Sequence, residues 1–331
     1  MINVSLKKLN QLKKNCIGKR IAVIGDLMLD CYFWGAVSRV SPEAPVPVVE
    51  VDNEFYRFGG AMNVAYNLLK LGGIPYPIGV IGNDSDGKLI LKLMKDTGIT
   101  TKGIVVDKKR PTTAKTRVIA DKQHIVRIDK EKTMDVSPQI EKQIFLKLKK
   151  EINKLDAIIL QDYNKGVLTE NLIGKIIRLS QKSNKVVTVD PKFHNFFSYQ
   201  NVTVFKPNRT ETENAFGIRI RSAEDITKAG NKILERLGCK YALLTLGEEG
   251  TALFEKDKPE RKVATKARKV ADVSGAGDTV ISTLTIALTA GADIFDAAYL
   301  ANYAGGLVCQ EVGIVPIELN TLFNAVAEEL K

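Results

Sequence analysis

The chain has 331 residues, 44% of them hydrophobic and 26% charged, with a formal net charge of +11. That length and composition suit one large globular α/β domain over residues 1–331 and exclude a disordered or fibrous chain. The lysines are scattered, the four cysteines match no zinc or disulfide spacing, and no apolar run is long enough to span a bilayer, so we expect a cytoplasmic protein that binds anionic small molecules and neither nucleic acid nor membrane.

Residues 5–15, with Leu6, Leu9 and Leu12 among lysines, predict an amphipathic helix. "RIAVIGD" (20–26) is a continuous apolar run ending in Gly-Asp, the pattern of a buried parallel strand that opens on a site. "VPVVEVDNEFYRF" (46–58) and "TTAKTRVIADKQHIVRIDKE" (112–131) alternate instead, the second around a polar "ADKQ" turn, and predict a small β-sheet lid over approximately 33–58 and 111–131. Between them lie a helix over 59–73, bounded by Gly-Gly at both ends, and a strand over 76–82. "GNDSDGKL" (82–89) nearly matches a P-loop, but Leu89 stands where Ser or Thr must be, so it reads as a turn with Asp84 and Asp86 as local caps. Strands at 156–162, 185–190, 202–208 and 241–247 then alternate with helices at 169–182 and 222–237, and helices at 278–290 and 293–311 follow. Repeated alternation predicts a central, mostly parallel sheet with helices on both faces.

Five of these strands end on polar or glycine residues: Asp26, Asp162, Asp190, Asn208 and Gly247. In an open α/β sheet those ends share one edge, where ligands bind. The segment "DVSGAGD" (272–278) is the most informative. Gly275 and Gly277 permit a tight turn, and a helix starting there points unpaired N–H groups and its positive dipole end outward, an anion hole suited to a phosphoryl group. Asp278 at its rim can take a proton from a hydroxyl that attacks bound phosphorus. The plainer reading is an Asp N-cap behind a glycine turn. It requires neither both glycines nor Asp272.

The motifs "GGAMNVA" (59–65), "NRTE" (208–211), "TLGEEG" (245–250) and "DVSGAGD" (272–278), in this order, resemble the signatures of the ribokinase/PfkB carbohydrate kinases. The stretch at 25–51 and "DYNKG" (162–166) resemble the branch that phosphorylates heptose 7-phosphate. The resemblance implies a ribokinase-like three-layer α/β domain with a β-lid, and ATP and Mg²⁺ as cofactors, with a monovalent cation left open. Asp278 would be the base, with the amides of Gly275, Ala276 and Gly277 as the anion hole. Asn208, Arg209, Thr210 and Glu211 would lie at the phosphates, Glu211 meeting magnesium indirectly, with Thr245, Gly247 and Gly250 beside the nucleotide. Asp26, Asp30, Gly60, Asn63, Asp162 and Asp190 would face the sugar, and its 7-phosphate needs cations: Arg117 and Lys165 first, then Lys192 and Arg39. The resemblance also implies a homodimer through the lid. Neither histidine lies in the H-x-G-H motif of the nucleotidyltransferase fused to many such kinases, so that pathway partner is expected on a separate chain.

Overall fold

The computed structural model describes residues 5–121, 123–265, 272–311 and 313–330. Helix α1 (Leu6–Cys16) is capped by Ser5 and buries Leu9, Leu12 and Cys16, the stripe that the sequence predicts. Strand β1 (Arg20–Gly25) follows. Next come two strands of fourteen residues each, β2 (Leu27–Val40) and β3 (Pro47–Gly60), then α2 (Ala61–Lys70). Gly59 and Gly60 therefore finish a strand, and Gly60 is at the same time the N-cap of α2, so the helix does start at the Gly-Gly pair. Gly60 has φ +56°, and a Cβ there would stand 2.4 Å from the Asp26 carbonyl, so the close approach of β3 to the end of β1 requires glycine.

Strand β4 (Ile74–Gly82) leads into α3 (Ser85–Asp96), an element not anticipated from the "GNDSDGKL" turn, although Asp84 is its N-cap. The short β5 (Ile104–Asp107) precedes β6 (Thr113–Ala120) and β7 (Gln123–Lys130), and Lys122 in their predicted turn lies outside the described residues. Then come α4 (Pro138–Glu151), β8 (Ala157–Gln161), α5 (Glu170–Lys182), β9 (Val186–Asp190) and β10 (Val204–Phe205). The strand at 202–208 is thus only two residues long, because Pro207 lacks the N–H that would continue the ladder. Helices α6 (Arg209–Phe216) and α7 (Ala223–Leu237) precede β11 (Tyr241–Thr245), β12 (Thr251–Glu255) and β13 (Arg261–Val263). Last are α8 (Ala276–Thr289), α9 (Ile294–Val308) and α10 (Leu319–Glu329).

The main sheet has nine strands in the order β13-β12-β11-β10-β9-β8-β1-β4-β5, parallel except for the antiparallel edge strands β12 and β13. Side chains alternate across it: Ile21 and Val23 join the core under α2, α8 and α9, while Ala22 and Ile24 join the core under α4, α5 and α7. From β1 the chain moves first to β4 on one side and later to β8 on the other. Strand order therefore reverses between β1 and β8, and the carboxyl ends of these two strands mark the crevice where such sheets bind ligands. A second sheet, in the order β3-β2-β6-β7, forms the lid. All four cysteines are free, and no helix among the described residues is long and apolar enough to cross a membrane.

Candidate active site

Helix α8 starts at Ala276 with Gly275 as N-cap in the left-handed region (φ +81°), so Asp278 is the third helical residue and not the cap. Its side chain turns inward and is 4% exposed. Three donors converge on it. Asn63 Nδ2 on α2 donates to Oδ2 at 2.7 Å. Gln161 Nε2 at the end of β8 and the Tyr163 hydroxyl just beyond donate to Oδ1 at 3.0 and 2.8 Å. Burial and the nearby Asp190 carboxylate push the Asp278 carboxyl up to about 7, although Asn63, Tyr163 and Lys206 favour the charged form. That value suits a group that takes up a proton near neutrality.

The turn before α8 is braced by Asp272, whose oxygens accept the N–H groups of Ser274 (2.8 Å) and Gly313 (3.1 Å). The Ala276 N–H contacts the Val273 carbonyl at 3.3 Å, while Gly275 and Gly277 have no backbone partner for theirs among the described residues. The exposed Gly277 faces a cleft of about 860 Å³, whose walls include Asn208, Arg209, Thr210, Glu211, Thr245, Gly247, Gly250, Asp190 and Lys192. All the residues expected at the nucleotide thus come together. Asn208 and Glu211 make a reciprocal capping box at the start of α6, and Asn208 bridges to Thr245 on the next strand. Glu211 also pairs with Lys192. Burial alone would lower the Lys192 ammonium, but the Asp190 and Glu211 carboxylates outweigh it and raise it.

Lys206, just after β10, was not anticipated. It is 2% exposed, lines the same cleft and pairs with Asp190 at 2.9 Å. The sequence signal is a lone charge ending an apolar strand, the same signal that singles out Asp190. Gln161 and Tyr163 were also missed, although Tyr163 stands inside "DYNKG" and Gln161 interrupts an apolar strand at its last residue.

Several expected sugar contacts have other work. Asp26 is 1% exposed, and its carboxylate accepts the backbone N–H groups of Tyr163 (2.8 Å), Lys165 (3.1 Å) and Val167 (3.2 Å). Burial, with Asp162 nearby, raises it to about 6. Asp162 accepts the Asn164 N–H (2.8 Å) and the Tyr199 hydroxyl (2.7 Å). Both carboxylates shape the loop after β8 and do not face the cleft. Asp190 and Lys192 line the cleft beside Asn208 and Glu211, and Gly60 lets the backbone close up on Asp26. Arg39 is exposed near the far end of β2, nine residues beyond Asp30 and so roughly 30 Å along the strand, outside this chain's own site.

On the lid, Arg117 pairs with Asp30, and Lys165 meets Glu131 at 2.7 Å. Arg57 differs. It lies across from Asp30 on β3, is half-buried, donates to the Ile314 carbonyl and has no carboxylate at ion-pair distance among the described residues. Its guanidinium and that of Arg117 lie 5.8 and 5.2 Å from the Tyr32 ring centroid. A Cβ on Gly313, the residue tied to Asp272, would lie 3.1 Å from Arg57, which places this cationic pair beside the glycine turn.

The profile of the pfkB family carbohydrate kinases matches residues 19–319. The chain belongs to this family. It is a carbohydrate kinase with the ribokinase-like fold. The bifunctional protein HldE of Pelobacter propionicus is 41% identical over 313 residues, covering 95% of this chain and 63% of the relative. HldE of Geobacter sulfurreducens is 44% identical over 291 residues, covering 88% and 59%. The chain therefore spans about three fifths of these relatives' length. Among solved structures, ribokinase of Arabidopsis thaliana with ribose and ATP superposes with TM-score 0.72 at 20% identity, covering 93% of this chain and 98% of that one. Phosphofructokinase-2 of Escherichia coli with fructose 6-phosphate gives 0.74 at 16%, covering 94% and 99%. These two likenesses bear on the fold alone.

Proposed function

We propose that the protein transfers the γ-phosphoryl group of ATP to the anomeric hydroxyl of D-glycero-β-D-manno-heptose 7-phosphate, giving the 1,7-bisphosphate. The observation that carries the reading is Asp278, buried and raised to about 7, in the first turn of the helix whose glycine N-terminus opens on the cleft. As the sugar O1 attacks the γ-phosphorus in line, its proton passes to the Asp278 carboxylate and the bond to the departing ADP breaks. Backbone N–H groups of the Gly275–Gly277 turn, with Lys206 and Lys192, meet the charge on the transferring group.

Magnesium needs only one or two carboxylates when phosphates and water complete its shell. Among the described residues no cluster of three or more ligating side chains exists, and Glu211 is already engaged by Lys192 and the Asn208 N–H, so a contact through water fits this donor set. Bound there, the metal would neutralise charge on the phosphates.

The heptose reading is supported by the similarity to the HldE proteins and by the cationic lid. Asp30 and Asn63 stand at the sugar. Arg57 is the strongest candidate for its phosphate end, because the Lys165 ammonium is held by Glu131 and the Arg117 guanidinium by Asp30. The lid strands leave Trp34, Val51, Val126 and Ile128 exposed, apolar surface that a second copy would cover. Coupled ADP release tests the substrate with heptose 7-phosphate, fructose 6-phosphate, ribose and adenosine in parallel. Turnover of heptose 7-phosphate alone is expected. Preference for another sugar would overturn the substrate and the phosphate-site residues while keeping the chemistry at Asp278.

A further inference from the structure

We propose that Tyr163 is the positioning residue that selects which oxygen of Asp278 accepts the proton, and that Asp26 acts through it. This rests on the reading of Asp278 as the base. A carboxylate offers about four lone-pair directions. On Oδ1, two are taken, by the Tyr163 hydroxyl (2.8 Å) and Gln161 Nε2 (3.0 Å). Among the described residues Oδ2 accepts only from Asn63 (2.7 Å), which leaves its second direction for the substrate hydroxyl. The side chain is thus oriented before substrate arrives, the condition for near-attack geometry.

Tyr163 itself is held from behind. The loop that carries it turns through Asn164 (φ +55°) and Gly166 (φ +78°), and its N–H groups at 163, 165 and 167 converge on Asp26. The Tyr199 hydroxyl fixes Asp162 beside it. The Lys192 ammonium lies 5.4 Å from the Tyr163 ring centroid. Burial and Asp278 push the phenol well above its usual range, so it remains a donor throughout the working pH. The groups facing Asp278 from every packed element are Asn63 on α2, Gln161 at the end of β8 and Tyr163 beyond it, Asp190 at the end of β9 and Lys192 beyond it, and Lys206 after β10. Among them, Tyr163 can lose its donor without a change of net charge or of ring packing.

The experiment is the pH dependence of kcat/KM in the full chain, for wild type, Tyr163→Phe, Asp26→Asn and Asp278→Asn. Losing a donor to the charged carboxylate raises its pKa, so in Tyr163→Phe the acid limb should move up by about one pH unit, with kcat near pH 7 falling roughly tenfold and KM for ATP unchanged. Asp26→Asn should move the limb in the same direction. A ring-fluorinated tyrosine at 163, a stronger donor of the same shape, should move it down, and this variant keeps the test decisive where Tyr163→Phe folds poorly. An acid limb that stays at the wild-type pH in both Tyr163 variants overturns the proposal, even if kcat falls. Wild-type turnover by Asp278→Asn instead removes the base assignment beneath it, an outcome that the Tyr163 profiles alone cannot mimic.

Discussion

Replacing Asp278 by Asn should abolish most turnover and make the protein more stable, and the gain should depend on pH. The carboxyl is raised from 3.8 to about 7 by burial and by Asp190. At about 1.4 kcal/mol per tenfold, holding the charge there costs about 4 kcal/mol above pH 7. The sign follows from proton uptake. The folded-state pKa is above the unfolded one, so wild-type stability is fully present below about pH 4 and declines as pH rises to about 7. The variant lacks that slope. An amide must place its NH₂ opposite Asn63 Nδ2, which has to turn over and give up its own contact with Asn67, at a cost of about 1 kcal/mol. The net expectation is a gain of about 1–3 kcal/mol at pH 8 that vanishes near pH 4, alongside a rate loss of roughly 10²–10⁴. Urea midpoints at pH 4, 5, 6, 7 and 8 with matched m-values would measure it. A gain of equal size at every pH, or a loss at pH 8, would refute the buried-charge account.

Three further outcomes are expected. Gly277→Ala places a methyl in ordinary contact, 3.7 Å from Asp190 and 3.9 Å from Lys206, so thermal stability should hold or rise by up to about 1 kcal/mol while turnover drops at least about tenfold because the methyl enters the anion pit; unchanged turnover would move the phosphoryl group elsewhere. Arg57→Gln should raise KM for the sugar phosphate roughly 10–100-fold and leave KM for ATP alone, and an equal rise for the unphosphorylated heptose would show that Arg57 does not read the phosphate. Asp26→Ala strands three backbone N–H groups and should lower unfolding free energy by about 2–4 kcal/mol in denaturant titrations, whereas a stable variant would mean the loop holds itself.

What could be read from the chain was whatever depends on local order. Apolar runs that end in Asp26, Asp190 or Asn208 identified the parallel strands and their ligand-facing edge, because strand polarity and burial are written in consecutive residues. The two glycines at 275 and 277 marked the turn that opens α8, where Gly275 takes the left-handed backbone that favours glycine (φ +81°). The antiparallel edge strands β12 and β13, the helix α3 and the two-residue length of β10 escaped, since each depends on what lies beside it in space.

The division within the site has the same cause. The resemblance of three short segments to the family's signatures implied that Asp278, Asn208, Glu211 and Thr245 share one site, and all four line the same cleft. It could not say which of the many aspartates reach a ligand, because a carboxylate's role depends on which donors surround it. Asp26 and Asp162 end strands just as Asp190 does, yet their oxygens are taken by backbone N–H groups and the Tyr199 hydroxyl of the loop after β8. Lys206, Gln161 and Arg57 carry no motif and Tyr163 only a local one, and only the reversal of strand order between β1 and β8 and the packing of the second sheet bring them beside the Asp278 carboxylate and the turn before it. Local propensity chooses the elements, and the pairing of elements distant in sequence decides which polar groups are left free to bind.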